Sequence, residues 1–184
     1  MKSDSHERTP LESLGPGTFC IVNDERSLGR RAAALIEAEL KRKSDLLLCV
    51  SSGRTPTGTY DAMVAAARRT PRRFAQLRLI KIDEWAGLPA DHPASCELYL
   101  QEHLVRPLGI PRSHYVSLQG DTPDPAAECR RVERWLDRNG PIDLCILGLG
   151  ENGHVALNEP SNAMEPGVHA VPLSSRSRQH PMIR

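Results

Sequence analysis

Short continuous apolar runs alternate with longer amphipathic stretches along most of this chain. Phe19 to Val22, Leu46 to Val50, Leu77 to Ile82, Tyr115 to Leu118 and the run opening at Ile142 read as strands, and so does His169 to Leu173. Between them lie helix signals. Asp24 caps a stretch reaching about Lys43, with Leu28, Ala32, Leu35, Ile36 and Leu40 on one stripe. A second helix ends near Arg69, a third covers roughly Ser95 to Val105, and Asp124 opens a fourth that Gly140 stops after Asn139. Strands alternating with helices predict an α/β fold: an open, mostly parallel, Rossmann-like sheet with helices on both faces and right-handed crossovers.

The most informative segment is IDLCILGLGENGHVALNEP, from Ile142 to Pro160. Its apolar start predicts a strand buried on both faces. Gly148, Gly150 and Gly153 then form a turn that delivers His154 near the strand's carboxyl end, where open α/β sheets place their ligands. Gly148 to Gly153 also spells the dinucleotide fingerprint G-x-G-x-x-G. That fingerprint needs a following helix, and Asn158-Glu159-Pro160 interrupts one within about two turns. No acid-terminated strand follows about 20 residues later to hold a ribose, so a nicotinamide or flavin site is not expected.

Three strand ends therefore open on one edge of a parallel sheet: those after Val50, Ile82 and Leu147. Ser51 to Thr55 offers hydroxyls, backbone N–H groups, Arg54 and a helix N-terminus, the ingredients of a phosphate cradle. An ordinary strand-to-helix turn reads the same way. Asp83-Glu84 places carboxylates at the second end, either for proton transfer or as a cap or salt bridge. His154 with Glu159 fits a base and its orienting acid, or a lone histidine in a tight turn. No second histidine stands nearby at ligand spacing, so no metal is expected.

Composition narrows the classes. The 184 residues fit one domain, with residues 1–17 read as a polar tail and 18–184 as the folded unit. A net charge of +1 gives no electrostatic case for nucleic acid, and the Arg68–Arg73 cluster reads as a solvated helix end and loop. No apolar run approaches the ~20 residues that a membrane helix needs, and the first residues lack a signal peptide's apolar core, so the expected location is cytoplasmic. Five cysteines, Cys20, Cys49, Cys96, Cys129 and Cys145, include no C-x-x-C pair. Cys20, Cys49 and Cys145 fall in expected strands as small hydrophobes, and Cys96 near the site is not read as a catalytic thiol.

SSGRTPTGTY, IKIDEWAGLPADHPASCELYL and IDLCILGLGENGHVALNEP resemble, in order and spacing, three motif blocks of the glucosamine/galactosamine-6-phosphate deaminase (isomerase) family. The resemblance spans about Val22 to Arg184. It implies a sugar-phosphate isomerase fold and no metal or organic cofactor. Asp83 matches the carboxylate that moves a proton between C2 and C1 of the sugar, His154 the ring-opening histidine, and Glu159 the acid supporting it. Ser52, Gly53, Arg54 and Thr55 match the loop that binds the substrate phosphate. The related 6-phosphogluconolactonases share a D-G-H turn but usually not the N-E-P intact here.

Two departures shape the expectation. Asn152 stands where the glucosamine enzymes carry aspartate; with Trp85 it resembles the galactosamine type, implying galactosamine 6-phosphate converted to tagatose 6-phosphate and ammonia. Glucosamine-6-phosphate deamination, a lactonase-like hydrolysis and a non-catalytic sugar-phosphate-binding module or inactive fragment stay open as alternatives. The family usually continues for several more strands and helices beyond the equivalent of Arg184. The sheet is accordingly expected to be incomplete at its carboxyl-terminal side, with an unpaired edge that favours homo-oligomers.

Overall fold

A computed structural model describes residues 19–150, 152–161 and 165–174. The expected tail over 1–17 and the polar stretch beyond Ser174 lie outside the described residues.

Four parallel strands form the sheet in the order β3-β2-β1-β4. They are β1 (Leu47–Val50), β2 (Arg78–Lys81), β3 (Tyr115–Val116) and β4 (Leu144–Cys145). The register sets Cys49 opposite Ile80 on one side and opposite Cys145 on the other. On one face, α1 (Glu25–Arg42) and α2 (Arg54–Arg69) bury Ala33, Ile36, Leu40, Tyr60 and Met63 against Leu48, Val50 and Leu79. The short α3 (Pro71–Phe74) adds Phe74 to this core. So does a longer element, in which α4 (Cys96–Leu100) runs through a π-helical turn, Gln101–Val105, into α5 (Arg106–Leu108). On the other face, α6 (Pro125–Asn139) packs Val132, Trp135 and Leu136 against Leu47, Cys49, Ile80 and Val116. Helices thus cover both faces.

The helix starts follow their capping chemistry. Asp24 accepts from the Ser27 amide at 2.6 Å, and Asp124 accepts from Ala127 at 2.9 Å. Gly140 ends α6 by donating its N–H to Leu136. The stripe of α1 turns out to be Gly29, Ala33, Ile36 and Leu40, while Leu28 stays exposed. The helix is turned this way because Gly29 lies against the backbone of Gly58 in α2. A Cβ on Gly29 would overlap the Gly58 carbonyl carbon and come within 2.9 Å of the Thr59 nitrogen.

Three expectations need correction. Phe19 to Val22 forms no strand: it has no ladder partner among the described residues, and Phe19 and Ile21 are 95% and 88% exposed. His169 to Leu173 is not a strand either. Instead, it crosses beside the Asn158-Glu159 turn, with His169 Nε2 2.9 Å from Asn158 Oδ1. Finally, the run from Ile142 is not buried on both faces. In the described structure Leu144 and Ile146 pack against the α1–α2 core, whereas the opposite side of the run is left uncovered, so exposure alternates and Leu147 is 51% exposed. Cys20 and Cys145 are exposed for the same reasons.

Candidate functional site

The carboxyl ends of β1, β2 and β4 lie side by side, because these three strands are adjacent and parallel. The loop after β1 meets α2 at Gly53, whose φ of 110° belongs to glycine. Among the described residues no side chain caps α2, so its first N–H groups are left to meet an anion. The loop's carbonyls face inward instead. Gly53 O accepts from Tyr99 OH at 2.7 Å and from Thr57 Oγ1 at 3.1 Å, and Ser51 O accepts from the buried Tyr60 hydroxyl. Ser51 Oγ is buried without a partner among the described residues. Arg54 and Thr55 are exposed at the helix start, where a phosphate would meet them.

Ser52 reaches the next strand end through a thiol. Its Oγ donates to Cys96 Sγ at 3.1 Å, and Cys96 in turn donates to the Asp83 carboxylate. Burial pushes the Cys96 thiol up, with Asp83 and Glu84 adding to the effect, so this sulfur is a donor and not a nucleophile. Sequence reasoning passed over it because the partners are far apart in the chain. Burial also raises the Asp83 carboxyl to about 6; the neighbouring Glu84 charge adds to that rise, and Lys81 and Cys96 oppose it. A carboxyl titrating there is poised for proton transfer near neutral pH.

Glu84 has a different task. Lys81, 2% exposed, places Nζ 2.6 Å from Glu84 Oε2 and 3.3 Å from Glu97 Oε2. Glu84 also accepts from the backbone N–H groups of Trp85, Cys96 and Glu97 and from Ser95 Oγ, all within 3.0 Å. Burial disfavours its charge, but Lys81 and these donors outweigh that and hold its carboxyl below the usual range. Glu97 is pinned in turn by Tyr115 OH and Gln101 Nε2, each at 2.8 Å. Glu84 thus ties the Asp83 loop to the start of α4. Trp85 is buried beneath that loop. A lysine inside a strand carries no such signal in sequence.

The third group sits in a compact double turn. Val155 bridges to Leu149 and to Asn158, Gly153 has φ 89°, and Ala156 holds φ 53°, an uncommon conformation for alanine. Gly150 passes so close to the His154 ring that any Cβ there would collide with the imidazole. The side-chain order differs from the sequence expectation: Asn152 stands between His154 and Glu159. Its Nδ2 donates to Glu159 Oε2 at 2.9 Å, and its Oδ1 lies 2.6 Å from His154 Nδ1. A carboxylate only accepts, so the amide orientation follows, and Nδ1 of His154 carries the proton. That leaves the ring's lone pair on Nε2. Glu159 is itself held by the Ser174 N–H at 3.2 Å.

The sequence-predicted residues therefore fall into two hydrogen-bonded groups on one sheet edge. Ser52 and Asp83 are joined through Cys96, next to Gly53, Arg54 and Thr55; Asn152, His154 and Glu159 form the other. Among the described residues, no group of three or more histidine, cysteine or acidic side chains is arranged to hold a metal, and no helix is long and apolar enough to cross a membrane.

The fold is shared with known proteins. A family model described as glucosamine-6-phosphate isomerases/6-phosphogluconolactonase matches residues 24–178. A protein of Escherichia coli K12 carried under the name deaminase AgaI is 36% identical over 89% of this chain and 64% of its own length. A glucosamine-6-phosphate deaminase of Geobacillus sp. WCH70 is 37% identical, over 83% of this chain and 61% of its own. A solved monomeric glucosamine-6-phosphate deaminase of the NagB superfamily superposes with TM-score 0.81 at 31% identity, covering 86% of this chain and 66% of that one. The chain thus spans a little under two thirds of the length of these relatives.

Proposed function

The chain belongs to the glucosamine-6-phosphate isomerase/6-phosphogluconolactonase family, and from that premise we propose that it acts as an amino-sugar-phosphate deaminase/isomerase converting galactosamine 6-phosphate to tagatose 6-phosphate and ammonia. The observation that carries the reading is the pairing of a raised carboxyl, Asp83, with an amide-oriented histidine, His154, on one sheet edge. Isomerisation needs a base for the carbon acid, and ring opening needs a separate proton carrier. The first turn of α2 and Arg54 hold the 6-phosphate. Nε2 of His154 takes the anomeric hydroxyl proton and returns it to the ring oxygen, giving the open aldose. Asp83 then removes the C2 proton and delivers it to C1 while one amine proton ends on O1, so that the aldose passes through the amino-enol to a C2 imine. Water adds to that imine, and ammonia leaves the resulting carbinolamine to give the ketose.

Ammonia release from galactosamine and glucosamine 6-phosphates, measured side by side, tests this. Faster release from the galactosamine compound is expected. The reverse order would favour the glucosamine reading, which the name of the Geobacillus relative supports. No ammonia from either, with hydrolysis of a 6-phosphosugar lactone, would overturn both.

Arg54→Ala is expected to weaken the 6-phosphate ligand by about 1.5–3 kcal/mol, the range for hydrogen bonds to charged groups. It should leave weak binding of the unphosphorylated sugar almost unchanged. Equal losses for both ligands would place Arg54 on the sugar ring.

Asn152→Asp addresses specificity and the histidine together. The new carboxylate would face Glu159 across the present 2.9 Å contact, and two carboxylates that close share a proton. Once that proton leaves, the added negative charge favours the imidazolium. The histidine-dependent limb of the pH–rate profile should then move to higher pH, and substrate preference should shift toward glucosamine 6-phosphate. An unmoved limb would rule out control of His154 by this residue. A moved limb with unchanged preference would remove position 152 from the specificity argument.

A further inference from the structure

Cys49 in β1 and Cys145 in β4 are direct register partners in adjacent parallel strands. Paired residues of parallel strands project to the same face, and neighbouring strands lie about 4.8 Å apart. That spacing falls within the ~4.4–6.8 Å Cα separation that a disulfide spans. The two thiols also hydrogen-bond to each other. Cys49 is buried in the α6-side core, whereas Cys145 is exposed on the outermost of the described strands. One thiol is thus reachable from solvent and the other waits directly behind it.

We propose that Cys49 and Cys145 form a reversible thiol–disulfide pair whose oxidant is a low-molecular-weight disulfide. In the first step the Cys145 thiolate attacks the small disulfide, RSSR, forming a Cys145–S–S–R bond and releasing RS⁻. In the second, the Cys49 sulfur attacks Cys145 Sγ, its proton passing to solvent, and expels the second RS⁻. Two protein thiols are oxidised by two electrons, and one RSSR is reduced to two RSH.

The division of roles follows from the surroundings. The hydrogen bond from Cys49 lowers the Cys145 thiol, which favours the attacking thiolate. The same bond is the largest cause of the elevation at Cys49, ahead of burial. Capping Cys145 as a mixed disulfide removes that bond and so eases ionisation of the resolving thiol. Asp83 acts electrostatically on both sulfurs, so the bond would form beside the candidate base. The chemistry at the two sulfurs does not depend on the proposed deaminase activity.

Incubating the folded chain with oxidised glutathione, followed by alkylation and non-reducing peptide mapping, tests this. The expected product has lost two of its five free thiols, carries no glutathione on Cys145, and yields one peptide linking residues 49 and 145. Dithiothreitol should restore all five. Cys49→Ala should instead trap a stable glutathione adduct on Cys145, and Cys145→Ser should leave Cys49 unmodified. A persistent adduct on Cys145 of the unmodified chain, or no reaction at Cys145, would overturn the proposal. So would a linked peptide containing Cys20, Cys96 or Cys129 in place of either partner.

Discussion

Asp83→Asn is expected to abolish ammonia release while making the folded chain more stable at neutral pH. The substitution is nearly isosteric and removes only the ionisable group. Loss of a positioned base ordinarily costs 10²–10⁴-fold, and here it removes the only carrier assigned to the C2–C1 transfer. Incorporation of solvent deuterium at C1 should stop with it. The stability effect has the opposite sign because the folded carboxyl is raised from 3.8 to about 6. Between those values the folded chain binds a proton that the unfolded chain has released. Stability therefore falls as pH rises through this window, and ionised Asp83 costs the fold on the order of 3 kcal/mol above pH 6. Asparagine avoids that cost. Thermal unfolding of the variant should occur above that of the unaltered chain at pH 7.5, with the difference gone below about pH 4. Continued deuterium entry at the original rate would remove Asp83 from the mechanism. An unchanged unfolding temperature at pH 7.5 would mean that the carboxylate is well solvated. In the unaltered chain the acid limb of the rate profile should fall as pH drops through about 6.

Lys81→Met is expected to produce the largest loss of stability. Its ammonium lies between Glu84 and Glu97, at 2.6 and 3.3 Å, with almost no solvent contact. Removing one member of a buried ionic group leaves uncompensated charge and typically costs about 3–5 kcal/mol. Methionine fills much of the volume, so the effect is electrostatic and not a cavity. Lys81 is also the main attraction opposing the rise at Asp83, so its loss should carry the acid limb of the rate profile to higher pH. Denaturant unfolding and the pH profile of the surviving activity read the two effects separately. A stability change below about 1 kcal/mol would mean that the two glutamates rearrange toward water. An acid limb that stays in place would sever Lys81 from Asp83.

Much of the scaffold was legible in sequence because it depends on local chemistry. Asp24 and Asp124 announce helix starts by their residue type, and the apolar run at Leu46 has the length and unbroken apolar character of a central strand. The strand ends carrying Ser52, Asp83 and His154 follow from the α/β alternation alone. What stayed hidden depends on neighbours far away in the chain. An apolar run does not state what covers each of its faces, so Leu147 read as buried although its side of β4 is exposed. A lysine in a strand reads as solvated until Glu84 and Glu97 are seen closing over it. The positions of Asn152, His154 and Glu159 allow either the acid or the amide to touch the ring. The choice is made by the turn through Gly153 and Ala156. Cys96 gained its role only when α4 brought it between Ser52 and Asp83.

The close approach of Gly29 to Gly58 bears on how accurately the proposed phosphate loop is placed. The crossing lies one turn into α2, and α2 begins immediately after Gly53 of the loop. The loop's own side chains make few bonds, so the aim of its N–H groups is inherited from the angle at which α1 and α2 meet. The two glycines are not equivalent in this respect: a methyl on Gly58 would find its nearest neighbour at 3.5 Å, whereas one on Gly29 has no room. A methyl at Gly29 would have to move α2 and would swing its first turn with it. Tolerance at the proposed anion site is therefore set by a crossing between two helices, away from the loop itself.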